Sequence, residues 1–354
     1  KIHHKLSFIL SLLNLFYAII KVMFSSKNLW LWILSIIFSF TLGFFFSQKN
    51  QNNSSKTHND QEQIIRKNFN YQYINPILEC NPDLDQNNNL SSLKKSINQV
   101  VDQEIQKKNI NFASIYFRDL NNGPWIGINE KEYFAPASLI KVPVLITYLK
   151  KAENHPEVLQ TKIPLIVTPD GDSIQNIKPS VSLAPDQEYT IEDLLEKMII
   201  YSDNDAYNTL SQNLTNDEIL KVYKDLDIDI SKAFTNPNGD IITVKDYASF
   251  YRILFNASYL NQDMSEKALA MLSQTQYKDA IVAGVPKNIS VSHKFGERKF
   301  LDTGETQFHD CGIVYLPKKP YLLCVMTRGG DLQKSSQVIK NISQKVYQDL
   351  NVLP

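Results

Sequence analysis

Residues 134–149 read FAPASLIKVPVLITYL. The segment sets Ser138 three residues before Lys141 and follows them with the apolar run Val142 to Leu149. That run predicts a buried helix from about Ser138 to Glu153. Residues three apart on a helix share a face, so the Lys141 amine is expected to reach the Ser138 hydroxyl. A neutral amine can take the hydroxyl proton and leave a nucleophile. The N–H groups and dipole at a helix N-terminus favour a developing oxyanion. Pro143 is tolerated because it lies in the first turn. Spacing alone is not specific, because Ser91-Ser92-Leu93-Lys94-Lys95 contains it twice. Those copies lie on the exposed side of a surface helix, whereas Ser138 precedes an apolar one.

Upstream, Leu90, Leu93, Ile97, Val100, Val101 and Ile105 recur at helical spacing, which predicts a helix over 90–107. ASIYFRDL (113–120) and PWIGINE (124–130) flank Asn-Asn-Gly and read as a β-hairpin. Downstream, Thr190 with Asp193 opens a helix over 191–200. More helices are predicted near 203–213, 216–224 and 243–258, and Asp263 with Glu266 opens one to about 273. The strand pattern returns in NISVSHKF (288–295), HDCGIVYL (309–316) and PYLLCVMTR (320–328), and a helix over 331–350 ends the chain. This order predicts an α+β fold: a five-stranded, mostly antiparallel sheet with the terminal helices on one face. The helical block forms an inserted lobe, and the cleft between lobe and sheet is the natural site.

Two further patterns fall in that cleft. Ser202-Asp203-Asn204 follows the apolar stretch Met198 to Tyr201, and it also suits a helix N-cap. His293-Lys294-Phe295-Gly296 lies on a predicted strand. A Lys on a strand usually faces solvent, but a neighbouring Gly lets a substrate backbone approach closely.

The three patterns, in this order, resemble the Ser-x-x-Lys, Ser-Asp-Asn and Lys-Thr-Gly set of the class A β-lactamases and penicillin-binding D,D-peptidases. The resemblance covers roughly residues 85–350. It implies a β-lactamase-like fold and a serine acyl-enzyme that needs no cofactor. Its substrate is a β-lactam or a peptidoglycan stem peptide. Ser138 is then the acylated nucleophile and Lys141 its base. Ser202 shuttles a proton to the leaving nitrogen, Asn204 contacts the substrate amide, and Lys294 binds the substrate carboxylate. The backbone N–H groups of Ser138 and Glu297 form the oxyanion hole, with Phe295 and Gly296 beside them. Two departures matter. Phe295 replaces the family's Thr, whose contact Arg298 or His309 would have to supply. The stretch DLDIDISKAFTNPNGDIITVKDYASF (225–250), where class A enzymes carry their water-activating Glu, contains none. Asp227, Asp229 and Asp240 are its nearby carboxylates, and each suits a cap or turn. An acyl-enzyme that forms and hydrolyses slowly follows. The competing expectation is a non-catalytic or sensor-type receptor on the same fold.

The N-terminal region has a different character. LWLWILSIIFSFTLGFFF (29–46) is uncharged and nearly long enough to cross a hydrocarbon core, with Trp30 and Trp32 near one end. Lys21 and Lys27 precede it, and no acid occurs in residues 1–50, so this side is expected in the cytoplasm and the rest outside. The expected organisation is a basic segment over 1–28, a signal anchor over 29–46, a flexible linker over 47–69 and the hydrolase domain over 70–354. The whole chain balances 37 Lys plus Arg against 37 Asp plus Glu, which argues against nucleic acid as partner. Its six His and three Cys make no metal-ligand pattern. With Lys318 and Lys319 as a two-residue turn, Cys311 faces Met326, so a Cys311–Cys324 disulfide is not expected. Met23 is the first Met, and residues 1–22 are read as upstream of the translation start. Intact-mass measurement is expected to find a product starting at Met23; a mature chain containing Lys1 to Val22 would refute that reading.

Overall fold

The computed structural model describes residues 71–76, 90–121, 123–168, 175–236 and 239–352. The expected basic segment, anchor and linker all lie outside them. Among the described residues no helix is long and apolar enough to cross a membrane.

The helical spacing of Leu93, Ile97 and Val101 becomes helix α1 (Leu90–Gln106). The hairpin follows as β1 (Phe112–Asp119) and β2 (Trp125–Ile128), and a short β3 (Tyr133–Phe134) leads into the Ser138 region. After a 3-10 turn at Ala137–Ile140 comes helix α2 (Lys141–Ala152). The short pair β4 (Lys162–Pro164) and β5 (Glu188–Thr190) precedes helix α3 (Ile191–Ile200). The lobe continues with α4 (Asn204–Gln212), α5 (Asn216–Asp225), β6 (Ile242–Thr243), α6 (Val244–Phe255) and α7 (Gln262–Ser273). Strands β7 (Val291–Lys299), β8 (Thr306–Val314) and β9 (Tyr321–Arg328) and helix α8 (Leu332–Val352) complete the chain.

The expected sheet is present, in the order β2-β1-β9-β8-β7, with every pairing antiparallel. Side chains alternate faces along a strand, and the two cores follow that period. Ile115, Phe117, Phe308, Leu323 and Val325 pack with Leu93, Ile97, Val338 and Ile342 of the terminal helices. Tyr116, Cys311, Ile313, Leu322, Cys324 and Met326 face the opposite way, into a core with α2, α3 and α6. All nine residues of β8 are buried, as expected of a strand covered on both faces.

Three expectations are corrected. The β8–β9 connection spans Tyr315–Pro320 rather than two residues, because Val314 pairs with Tyr321. Pro317 and Pro320 have no N–H to donate, so the ladder stops short of them. The register moves by two, Cys311 stands opposite Cys324, and the two form a disulfide. The N-cap of α7 is Asn261, whose side chain accepts from Met264 N, rather than Asp263. Asp263 and Glu266 instead hold residues 71–74: Tyr71 Oη donates to Asp263, and the Glu266 carboxylate accepts the N–H groups of Gln72, Tyr73 and Ile74. Ile74 is buried as a result.

Glu266→Ala removes the acceptor for three backbone N–H groups, at a cost of about 1–2 kcal/mol. Denaturant unfolding should show that loss, and limited proteolysis should cut faster near residue 76. Unchanged unfolding and cleavage would exclude this docking.

Candidate active site

Lys141 begins α2, and its side chain is almost fully buried. Its Nζ donates to Ser202 O at 2.6 Å, Ser202 Oγ at 3.2 Å and Asn204 Oδ1 at 2.8 Å. The helical spacing points Lys141 toward Ser138; the contacts formed are with the Ser-Asp-Asn segment. Three acceptors match the three donors of an ammonium. A neutral amine gives up one of them and gains a lone pair. Burial pushes the Lys141 pKa down to about 7, with Asp203 opposing. Neutral and charged forms are therefore both accessible near neutrality.

Lys294 arrives from β7. Its Nζ donates to the same Ser202 Oγ at 2.9 Å and to Phe295 O at 3.0 Å. Burial, then the neighbouring Lys141 charge, holds its pKa well below the usual lysine range. Ser202 is aimed by its backbone, with φ at +60°, and Asp203 caps α4 by accepting from Ala206 N. A non-glycine residue in this region is strained, and such strain clusters at functional sites.

The Ser138 turn is held from below by the sheet. The N–H of Ala135 donates to Gln307 Oε1 at 3.0 Å, and Ala135 O is 3.0 Å from His309 Nε2. Burial lowers His309 to about 4, so the ring is neutral and Nε2–H is the donor. Tyr247 Oη donates to Leu139 O at 3.0 Å. Ala137, just before Ser138, has φ of +48°. Gly296 completes the seat. A Cβ there would stand 2.9 Å from Pro136 O and 3.2 Å from Leu139 N. The space beside Gly296 is thus filled by the protein's own turn, where the strand pattern suggests a substrate backbone.

Ser138 thus stands at a helix entrance, with buried Lys141 three residues on, and Lys141 and Lys294 meet on the Ser202 hydroxyl. The model of the beta-lactamase enzyme family matches residues 92–350. The chain belongs to that family. Solved structures with the same fold include PBP-A, determined as an acyl-enzyme complex of a variant with penicillin G. It is 23% identical with a TM-score of 0.61, and the match covers 74% of this chain and 98% of that one. A class A beta-lactamase from Bacteroides cellulosilyticus matches at 20% identity and TM-score 0.61, over 73% and 98% of the two chains. The beta-lactamase from Sphaerobacter thermophilus gives 23%, 0.61, 73% and 98%. No curated protein matches the sequence.

Strand register separates the remaining family-motif residues. Lys294, Gly296 and Arg298 pair with Cys311, His309 and Gln307, so they share the lobe-facing side. Phe295 turns to the other face, where its ring packs on Tyr277 and Phe308. His293 also turns away, and its Nδ1–H donates to buried Asp310 at 2.8 Å. Of the two side chains considered for the missing Thr contact, His309 is committed to Ala135. Arg298 is exposed on the correct face, with its guanidinium over Phe300. Glu297 uses its carboxylate to accept from Asn176 Nδ2 and Ile177 N. Asp229 accepts from Ser231 N as a turn residue. Asp240 accepts from Gln307 Nε2 and pairs with Arg328, both at 3.0 Å. Among the described residues no three His, Cys, Asp or Glu side chains cluster as a metal site.

Sequence patterns gave no sign of Gln175, whose Nε2 donates to Ser202 O at 3.0 Å. Gln307 and Tyr247 were equally silent, because each acts on a distant backbone group with no motif around it.

Gly296→Ala forces strand β7 and the Ser138 turn apart, backbone against Cβ. Overpacking of this kind costs about 1–3 kcal/mol. The expected result is a lower unfolding midpoint together with slower modification of Ser138. Wild-type stability and reactivity in the variant would show that the contact relaxes freely.

Proposed function

We propose that this protein is a membrane-anchored, extracytoplasmic serine hydrolase, acylated at Ser138 by β-lactams or peptidoglycan stem peptides. The observation that carries the reading is the meeting of Lys141 and Lys294 on Ser202 Oγ beside the clamped Ser138 turn. Neutral Lys141 takes the Ser138 proton as Oγ bonds to the substrate carbonyl carbon. The N–H groups of Ser138 and Glu297 receive the oxyanion. As the C–N bond breaks, Ser202 passes its proton to the leaving nitrogen and recovers one from protonated Lys141. Lys294 faces the substrate carboxylate, Arg298 supplies the second cation, and Asn204 contacts the substrate amide.

Water activation is the weak step. Asp229 and Asp240 are held by their own partners, and residues 225–250 contain no Glu. The acyl-enzyme therefore accumulates, as in a penicillin-binding protein. The same feature favours a second reading, a sensor-type receptor in which the long-lived adduct is the signal. The anchor over 29–46 would hold either one at the outer face of the cell membrane.

Intact mass after penicillin addition should show one adduct that persists for minutes and is absent from Ser138→Ala. Its rate of formation should rise with pH through about 7, as Lys141 loses its proton. No adduct at any pH would refute acylation at Ser138. Turnover within seconds would refute slow deacylation, and a flat profile from pH 5 to 9 would remove Lys141 as base.

A further inference from the structure

One row of side chains crosses the sheet beneath the site. Lys294 on β7 stands opposite Cys311 on β8, Cys311 opposite Cys324 on β9, and Cys324 opposite Tyr116 on β1. All of them are buried, and they face the lobe. The row starts at the edge strand that delivers Lys294 to Ser202, and its two middle members are joined by a disulfide.

Strand β8 carries both halves of the site. Its lobe-facing residues run Gln307, His309, Cys311. The first two grip the Ala135 peptide ahead of Ser138, one through its N–H and the other through its carbonyl. The third is bonded to β9. Across the other edge, β8 pairs with Lys294 and Gly296 of β7, and among the described residues β8 is the only sheet neighbour that β7 has. A shift of β8 against β9 therefore carries Lys294 and the Ser138 turn away from Ser202, which the lobe holds. Hydrogen-bonded ladders open locally. A covalent bond between directly opposed residues resists that opening at the row where Lys294 stands.

Both sulfurs are buried, so thiol–disulfide exchange reaches them while the sheet is still open. The bond is therefore made once, as the chain folds, and an oxidising compartment favours it. The two thiols give up two protons and two electrons. A partner disulfide takes them and becomes two thiols.

We propose that Cys311 and Cys324 are a positioning pair for acylation, and that their oxidation fixes β8 and makes the site competent. The reduced chain keeps the fold, holds Lys294 and the Ser138 turn loosely, and reacts slowly. The proposal rests on the acylation reading above.

The experiment uses the full chain in detergent carrying Cys80→Ser, so that Cys311 and Cys324 are its only cysteines. One half is prepared reduced and the other oxidised with glutathione disulfide in dilute urea, and thiol titration after denaturation confirms each state. Penicillin adduct formation is followed by intact mass well below both unfolding midpoints. The reduced form should react slower by about tenfold or more, since misplacing a reacting group by about 1 Å costs about a hundredfold. Re-oxidation should restore the rate. C311A/C324A should be slow and indifferent to the oxidant. The ζ-nitrogen NMR signal of Lys294, assigned by its loss in Lys294→Gln, should differ between the two forms, a change that altered stability alone does not produce. Equal rates in folded oxidised and reduced protein, or an unchanged Lys294 signal, would overturn the positioning role while leaving acylation standing. A reduced form that does not fold would assign the bond to stability and overturn it equally. No adduct in any form would overturn the acylation reading and the positioning role with it.

Discussion

Ser202 accepts hydrogen bonds from two lysine amines that have almost no contact with water. A buried cation is expensive, and two side by side more so, which drives both lysines toward their neutral forms. Much of the lobe can be understood as the support for that meeting. The backbone of Ser202 turns at positive φ, and Asp203 then starts α4. Helix α2 is buried from Lys141 through Leu149, so the first lysine cannot swing out to solvent. The second is fixed by β7, whose residues from Val291 to Gly296 are all buried.

The Ser138 turn is placed by different means. Ser138 lies on a 3-10 turn whose flanks are pinned by β8 through Gln307 and His309, by α6 through Tyr247, and by the missing side chain of Gly296. The sheet is therefore more than a platform. Strand β8 holds the Ser138 turn in register against an amine delivered by the edge strand β7. Asp240, Arg328 and Gln307 extend the same network to the loop before β6, so the Asp240 carboxylate is engaged in holding structure.

Much of this was legible in residue order. The α1 stripe of Leu93, Ile97 and Val101, the Asn-Asn-Gly hairpin and the Thr190 cap all report local geometry, and local geometry leaves a periodic trace. Ser138, Lys141, Ser202 and Lys294 were legible as motifs, and the fold brings the last three into contact. What stayed hidden depends on distant partners. The Cys311–Cys324 pairing follows from a register set by two prolines, and a shift of two residues along one strand changes it completely. Gln175 reaches Ser202 across 27 positions by a single amide, and the Ala135 peptide is held by side chains more than 170 residues away. No pattern in one sequence records such contacts. Phe295 was visible as a departure, but only the alternation of β7 shows that its ring belongs to the opposite core.

The pairing of β1 with β9 sets the order in which a nascent chain can become competent. Phe112 pairs with Arg328, and α1 shares a core with α8, so the middle of the sheet closes only when both ends are present. The helical lobe, carrying Ser138, Lys141 and Ser202, emerges earlier and waits for Lys294. Such long-range pairing is slow to form, since chain entropy is lost before the contacts return it. A chain clipped before α8 would keep Ser138, Lys141, Ser202 and Lys294 and lack the layer that packs on β8 and β9. In this topology Lys294 meets Ser202 only once nearly the whole chain has been made.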